Sequence, residues 1–389
     1  LSSDTSGDRI KEGEIFYNSS DFNIKAFVAT SAWHSGGTAS TARRALGGSP
    51  AGTASAGLIC GGAISGNRVN STEEYDGINY STGGNLNQAR QQLSQGAGTQ
   101  TATLAFGGAS DGSGTNVNSS EEYNGTSWTE GNNLGTAMRD SAGSGTQTAA
   151  ITFGGDPSNS ETEEYDGTSW SAGTDYPLNT TAAASAGTST AALGFGGLNT
   201  SNNSTAETFH YDGSSWTAGG DMGTARYRHA STGTQTDALG FGGYLYPTTS
   251  TTANTERYNG TSWTEQGNLS TGMRQAAATG GATTAVKMAG QTPGSSFTGA
   301  TEEFTVSLSA TTDASWASGG AMNTGRSEGM TAGTQTASLM SGGIVPGSDA
   351  MTNNSEEYNG SSWSEGNNLS NYRRGGGFGT QGTQTAGLV

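Results

Sequence analysis

Apolar runs of three or so residues closed by Gly-Gly recur along the chain, at Leu104 to Gly108, Ile151 to Gly155, Leu193 to Gly197 and Leu239 to Gly243. About twenty residues later comes an alternating segment, a polar pair and a tryptophan: Glu121-Glu-Tyr-Asn-Gly-Thr-Ser-Trp128, with close copies at Glu163 to Trp170, Glu256 to Trp263 and Glu356 to Trp363. Runs this short, with period-two alternation and turn residues between them, predict strands rather than helices. The copy that starts near Arg139 divides into four. Strand a runs from Arg139 to Ser144, strand b from Ala149 to Phe153, strand c from Thr162 to Tyr165, and strand d begins near Trp170. A Gly-Thr-Gln-Thr turn at Gly145 joins a to b, and recurs at Gly98, Gly233, Gly333 and Gly382. Asp-Gly or Asn-Gly pairs join c to d at Asp76, Asn124, Asp166, Asp212, Asn259 and Asn359. Such pairs mark hairpins because both central residues tolerate positive φ.

The unit length, about 47 residues with one Trp per copy, predicts an all-β β-propeller of four-stranded antiparallel blades. Counting the Trp-type strands gives eight: Trp33, Tyr80, Trp128, Trp170, Trp216, Trp263, Trp316 and Trp363. The chain opens on what reads as a c and d pair, Ile24 to Thr30 then Trp33, and closes on an a and b pair, Arg374 to Val389. The two ends would then share one closing blade, a device that removes exposed sheet edges. Seven blades with a stray terminal hairpin is the alternative. Residues 1–22 read as an opening segment or hairpin, and 23–389 as the propeller. Two copies depart from the pattern: that around Tyr176 is short, and that from Thr301 to Trp316 carries an insertion, Val306 to Asp313.

Composition changes this picture little. A net charge of −17 with 31% hydrophobic residues is a profile shared with disordered chains, but disorder gives no reason to place one large aromatic in each unit. The 65 glycines then read as tight turns and closely packed strands. An excess of 33 acidic over 16 basic residues argues against a nucleic-acid partner and against an anionic membrane surface. No stretch has the roughly 18 apolar residues of a membrane-crossing helix. One cysteine, Cys60, excludes an internal disulfide; it stands where other copies have Phe106, Phe153, Phe195 and Phe241, which predicts a buried strand thiol.

With Gly-Gly after an apolar strand, a Tyr and Trp five residues apart and an Arg at the start of the next unit, the copies resemble Kelch repeats from about residue 24 onward. Their Tyr-to-Trp spacing, as in Tyr165 to Trp170, is shorter than the common pattern. The near-identity of copies is similar to Kelch-like propellers of marine bacteriophage structural proteins. The opening Gly13 to Ser20 and Ile24 to Val28 looks like the strand-turn-strand start of phage tail-fibre and virion-surface proteins. The resemblance implies a structural protein of a virion surface.

A galactose-oxidase-type copper site needs clustered Tyr, His and Cys, but His34, His210 and His229 fall at unrelated repeat positions, so no metal or cofactor is expected. The Asp-Gly-x-x-Trp segments lack the spacing of sialidase Asp-boxes, and no enzyme activity is expected. Gly194 to Gly197 lacks the following helix of a phosphate cradle. Arg90, Arg139, Arg226, Arg274 and Arg326, with the pairs Arg43-Arg44 and Arg373-Arg374, stand where strand d hands over to the next strand a, near the mouth of the channel. Two readings stand for them: pairing with carbonyls or with Glu73, Glu121, Glu163, Glu256, Glu302 and Glu356, or an anion-binding ring. The Trp set, Trp128, Trp170, Trp216, Trp263, Trp316 and Trp363, reads as packing.

The b to c loops (63–71, 109–118, 156–160, 198–205, 244–254, 291–300 and 344–354) share neither length nor sequence, whereas the a to b and c to d turns are nearly invariant. Copies that keep one face and diversify the other predict a partner on the diversified face, with Tyr244, Tyr246, Phe297 and Met351 as its apolar contacts. Relaxed constraint on surface loops would leave the same pattern. The expected function is a non-catalytic recognition propeller of tail-fibre or decoration type, at a virion surface or otherwise extracellular. Its partners would be a host-surface protein or glycan, or a neighbouring virion protein, with a homo-oligomer also open. An extracellular bacterial adhesin or lectin-like module is the alternative, and a hydrolase or lyase working at the channel mouth comes last.

Overall fold

The computed structural model describes residues 15–18, 23–65, 67–110, 114–156, 160–310, 320–334, 337–348 and 350–374. Apart from one short 3-10 turn at Pro293–Ser295, the described regular structure is all β, and among the described residues no helix is long and apolar enough to cross a membrane. The chain divides into two compact units, one holding Phe27–Ala310 and the other Ile15–Ala26 with Thr311–Val389.

The larger unit contains six antiparallel sheets with four strands each. Sheet 3 shows how they are built: Ala142–Thr146, Ala149–Phe153, Thr162–Tyr165 and Trp170–Ala172 pair in simple order, strand a innermost. The same order repeats in sheet 1 (Gly47–Gly48 to Tyr80–Thr82), sheet 2 (Ala97–Thr99 to Trp128–Glu130), sheet 4 (Ala184–Thr188 to Trp216–Ala218) and sheet 5 (Ala230–Thr234 to Trp263–Glu265). Sheet 6 takes strands a to c from Ala277–Gly281, Thr284–Gln291 and Phe297–Ala310, and its fourth strand from Asn23–Ser35. The architecture is therefore a β-propeller of four-stranded antiparallel blades.

The pairing of the first strand corrects the expectation that the two chain ends share a blade. Trp33 lies opposite Phe304 and Ser35 opposite Glu302, so the strand that opens the chain closes the sheet formed by 277–310. Asn23–Ser35 is also one continuous strand and not a c and d pair, since no Asn-Gly or Asp-Gly interrupts it before Trp33. Within the insertion, Val306 to Ala310 prolongs strand c and pairs with Phe27 to Ser31. Within the larger unit the connectors of the six sheets join in one closed circuit of hydrogen bonds. In the other unit, Met330–Thr334, Ala337–Ser341, Ser355–Tyr358 and Trp363–Glu365 form a further four-stranded sheet, and Ile15–Asn18 pairs with Asn23 to Ala26. Trp316 and the closing segment after Arg374 lie outside the described residues.

The repeated residues fasten one sheet to the next. Phe106 meets Trp170 edge-on with centroids 5.0 Å apart, Phe153 meets Trp216 at 4.8 Å, Phe195 meets Trp263 at 4.7 Å, and Phe241 meets Trp33 at 4.8 Å. At the junction of sheets 1 and 2, Cys60 takes the phenylalanine's place in a core with Leu58, Leu86 and Trp128. Burial pushes its thiol up to about 12. The strand-c tyrosine bonds the preceding sheet's second glutamate: Tyr123 to Glu74 at 2.5 Å, Tyr165 to Glu122 at 2.6 Å, with Tyr211 to Glu164 and Tyr75 to Glu303 alike. In the Gly-Thr-Gln-Thr turns, Gln147 and Gln235 donate to two carbonyls of the sheet before. The c to d turns differ from expectation in one detail: only the glycine has positive φ, as at Gly125 (88°), while Asn124 accepts the amides of Thr126 and Ser127 through Oδ1.

Candidate functional site

The connectors from strand d to the next strand a carry the site, and two successive residues in each connector have separate tasks. Taking Leu86, Leu134, Met222 and Leu269 as equivalent puts Arg43, Arg90, Arg226 and Arg326 in one slot, which Met138 and Met273 fill in two other copies. Slot arginines are fully buried. Arg90 Nη2 lies 2.7 Å from Glu121 Oε1 and Arg226 Nη2 2.7 Å from Glu256 Oε1; Arg43 pairs with Glu73 and, in the smaller unit, Arg326 with Glu356. Each also donates Nη1 to carbonyls at the end of the b to c loop, Ser119 for Arg90 and Asn254 for Arg226. Burial lowers the Arg226 pKa to about 10, against the opposing pull of Glu256. Buried paired charges of this kind hold connectors in register.

Arg139 and Arg274 stand one residue further on, together with Arg44, and do not pair with the strand-c glutamates. The slot neighbours of Arg139 and Arg274 are methionines, and the amides of Gly135 and Thr136 bond Glu163, at 2.7 and 3.1 Å. Glu302 takes the amide of Ser270 at 2.8 Å and lies 3.4 Å from Lys287 Nζ. Arg139 bonds Asp156 at 2.8 Å. Arg274 lies over the Tyr244 ring at 4.0 Å and donates Nε to Gln291 Oε1 at 3.0 Å, which Arg44 Nη1 also reaches at 3.0 Å. Arg44 lies 5.3 Å from the Phe297 ring centre.

The next connector residue forms the mouth of the channel. Ala45, Gln92, Asp140, Ala182, Arg228 and Gln275 all have φ between 50° and 56°. Six non-glycine residues in the left-handed region carry a local conformational cost. A closed circuit of hydrogen bonds holds them there: Gln92 N–H donates to Ala45 O (2.7 Å), Asp140 to Gln92 (3.0 Å), Ala182 to Asp140 (2.7 Å), Arg228 to Ala182 (2.9 Å), Gln275 to Arg228 (2.9 Å) and Ala45 to Gln275 (3.1 Å). The Gly-Gly ends make room for it, since a Cβ on Gly107 would stand 2.7 Å from Met138 O and one on Gly108 2.9 Å from Gln91 O.

Inside this iris lies a cavity of about 60 Å³. Its floor is Gln95 of the segment entering sheet 2, which spans the channel to Ser231 of sheet 5, whose Oγ stands 2.9 Å from Gln95 Oε1. His229 forms part of the wall; burial and the neighbouring Arg226 hold its pKa well below the usual histidine range, so the ring is neutral. At the rim Arg228 Nη2 lies 3.1 Å and Gln92 Nε2 2.6 Å from Asp140 Oδ2. Arg44 and Arg228 line one continuous opening with Gln91, Gln92 and Gln275. Burial, Arg228 and Arg274, in that order, lower the Arg44 pKa.

Tyr244, at the start of its b to c loop, packs edge-on against Tyr227 at 5.7 Å beside this mouth. Tyr246 is exposed on the same loop; its N–H donates to Ser204 Oγ at 2.9 Å and its carbonyl accepts from Ser204 N–H at 3.4 Å. Phe297 opens strand c of sheet 6. Met351 is exposed in the smaller unit, in a two-residue strand paired with Ile344–Val345. Trp128, Trp170, Trp216 and Trp263 lie between sheets in the larger unit, and Trp363 packs on Tyr358 at 5.1 Å in the smaller. Sequence reasoning missed Gln92, Asp140, Arg228 and Gln275, and weighed His229 only as a metal ligand. The available signal was the connector's third position, whose charge changes from copy to copy inside a strict frame. Among the described residues no group of three or more His, Cys, Asp and Glu could hold a metal ion.

No protein-family model and no curated protein matches the sequence. Among solved structures, that of YjhT aligns with a TM-score of 0.59 at 14% identity, covering 70% of this chain and 99% of that one. At that identity the likeness bears on the fold alone, a β-propeller.

Proposed function

We propose that the chain is a non-catalytic recognition propeller of Kelch-like type that binds its partner through the face carrying the b to c loops. The observation that carries this reading is the division of labour among the copies. Residues repeated letter for letter fasten sheet to sheet, as Tyr123, Gln147 and Trp170 do. Residues that differ between copies gather around the connectors and the loops beside them, where Tyr244, Tyr246 and Phe297 supply the aromatic surface that recognition sites favour. The near-identity of the copies, which resembles that of Kelch-like phage structural proteins, supports a virion surface as the proposed setting, with a host surface or a neighbouring virion protein as the proposed partner. Fluorescently labelled protein and a variant with the 244–254 loop replaced by the 156–160 sequence would be incubated with a panel of bacterial cells. Labelling by the parent protein that the graft loses is the expected result. Equal labelling by both would refute a role for the loop, and no labelling of any cell would remove the host-surface reading.

A further inference from the structure

The mouth of the channel holds more positive charge than its surroundings answer. Arg44, Arg228 and Arg274 influence one another there, in a protein of net charge −17, and Asp140 is the one carboxylate among them. Arg228 is neutralised by Asp140. Arg44 and Arg274 bond the amide oxygens of Gln275 and Gln291, which carry no charge, and no ion pair engages either among the described residues. Their scaffold counterparts Arg90 and Arg226 each have a glutamate at 2.7 Å. Two cations sharing a single neutral acceptor is an arrangement that an incoming anion stabilises. The site is also built: its rim is fixed by the six-membered circuit and its floor by Gln95, and beside it Tyr244 is stacked under Arg274. Pre-set cations at the mouth of a blind pocket need little rearrangement to accept a ligand.

We propose that this pocket binds a small oxoanion, a carboxylate or phosphate group, held by Arg44 and Arg228 with the amides of Gln91, Gln92 and Gln275 around it and Arg274 strengthening the field. The shared chemistry is the compact oxygen anion; it arrives free or as the acidic group of a sugar-sized molecule. The site concerns the depth of the pocket and does not depend on recognition by the loops.

The test is a titration of the full chain at low ionic strength with inorganic phosphate, followed by ³¹P line width, and with glucuronate, followed by saturation transfer, glucose serving as the neutral control. Saturable binding of either anion is expected, phosphate alone indicating a tetrahedral ligand and glucuronate alone a carboxylate. The double variant Arg44→Gln, Arg274→Gln should weaken it at least tenfold, an effect on the order expected for losing charge-assisted contacts. Asp140→Asn should tighten it about fivefold by freeing Arg228, a gain that loss of folding cannot mimic. Absence of saturable binding by both anions, equal binding of glucose, or an Asp140→Asn variant no tighter than the parent would overturn the proposal. Anion binding that survives replacement of residues 245–254 with Tyr244 kept, while cell labelling is lost, would separate this site from the loop face.

Discussion

Two copies of the repeat place methionine where others bury arginine, which makes Arg226→Met a substitution the fold has already tried at Met138 and Met273. In the parent, Glu256 accepts the amides of Gly223 (2.6 Å) and Thr224 (3.2 Å) as well as Arg226. Glu163, in the methionine copy, keeps the equivalent two amides at 2.7 and 3.1 Å. Arg226→Met removes the bond to Glu256 and the bond to Asn254 O, both 2.7 Å, a gross loss of about 4 kcal/mol for two charge-assisted bonds. Against this, the guanidinium is no longer taken out of water, an offset of several kcal/mol in buried pairs. The net cost should be about 1–2 kcal/mol. Arg226→Ala loses the same bonds and leaves a void on the order of 80 Å³, adding about 2 kcal/mol at ~24 cal/mol per Å³. Urea unfolding followed by tryptophan fluorescence, compared at equal slope, should rank parent, Met variant and Ala variant in that order, with the last two clearly separated. A Met variant as unstable as the Ala variant would refute the reasoning, since it would mean that the methionine copies depend on compensation elsewhere.

Burial of Cys60 predicts that iodoacetamide modifies the thiol only under denaturing conditions; stoichiometric labelling of the native chain at pH 8, read by intact mass, would contradict the packing at the junction of sheets 1 and 2. Burial, reinforced by Glu303 and Glu74, raises Tyr75 and Tyr123 to about 12. The folded pKa lies above the unfolded value of about 10, so this contribution is whole below pH ~10 and is lost as pH rises through about 12. Tyrosinate absorbance and tryptophan fluorescence should therefore change together in that window, and Tyr123→Phe should reduce the pH-linked part of the loss. Between sheets 5 and 6 the tyrosine–glutamate rung is missing, because Phe304 lacks the hydroxyl and Arg257 faces Asp237 at 2.7 Å. Phe304→Tyr should cost stability alone and recover about 1 kcal/mol of it with Arg257→Glu and Asp237→Ala together, a coupling that thermal unfolding of the set would measure.

Strands b, c and d of sheet 3 were legible to the residue, because Asp166-Gly167 and Gly154-Gly155 bracket short apolar runs and leave one register that buries Ile151 and Phe153. The ring was less so. Repeats are counted along the chain, but a ring is closed by whichever strand caps its last sheet, and Trp33 finds Phe241 and Phe304 across more than 200 residues of sequence. The arginines misled by type. Arg139 and Arg274 look like members of the Arg90 series until the apolar anchors Leu134 and Leu269 are aligned, which moves them one position toward the channel. His229 and Gln95 carry no repeat signature, and only the ring brings Gln95 opposite Ser231.

The six connector residues at the mouth donate in one rotational sense, each amide to the carbonyl of the residue before it and Ala45 to Gln275. Such a circuit is a macrocycle without covalent closure, and it has no end at which a further member could be added. A seventh connector could enter only by breaking one bond and widening every angle of the circle, so membership changes in whole steps or not at all. Duplication of a 47-residue unit in the gene therefore does not enlarge this ring by degrees. A new copy either re-forms the entire circuit at a different radius or folds its sheet without a seat in it.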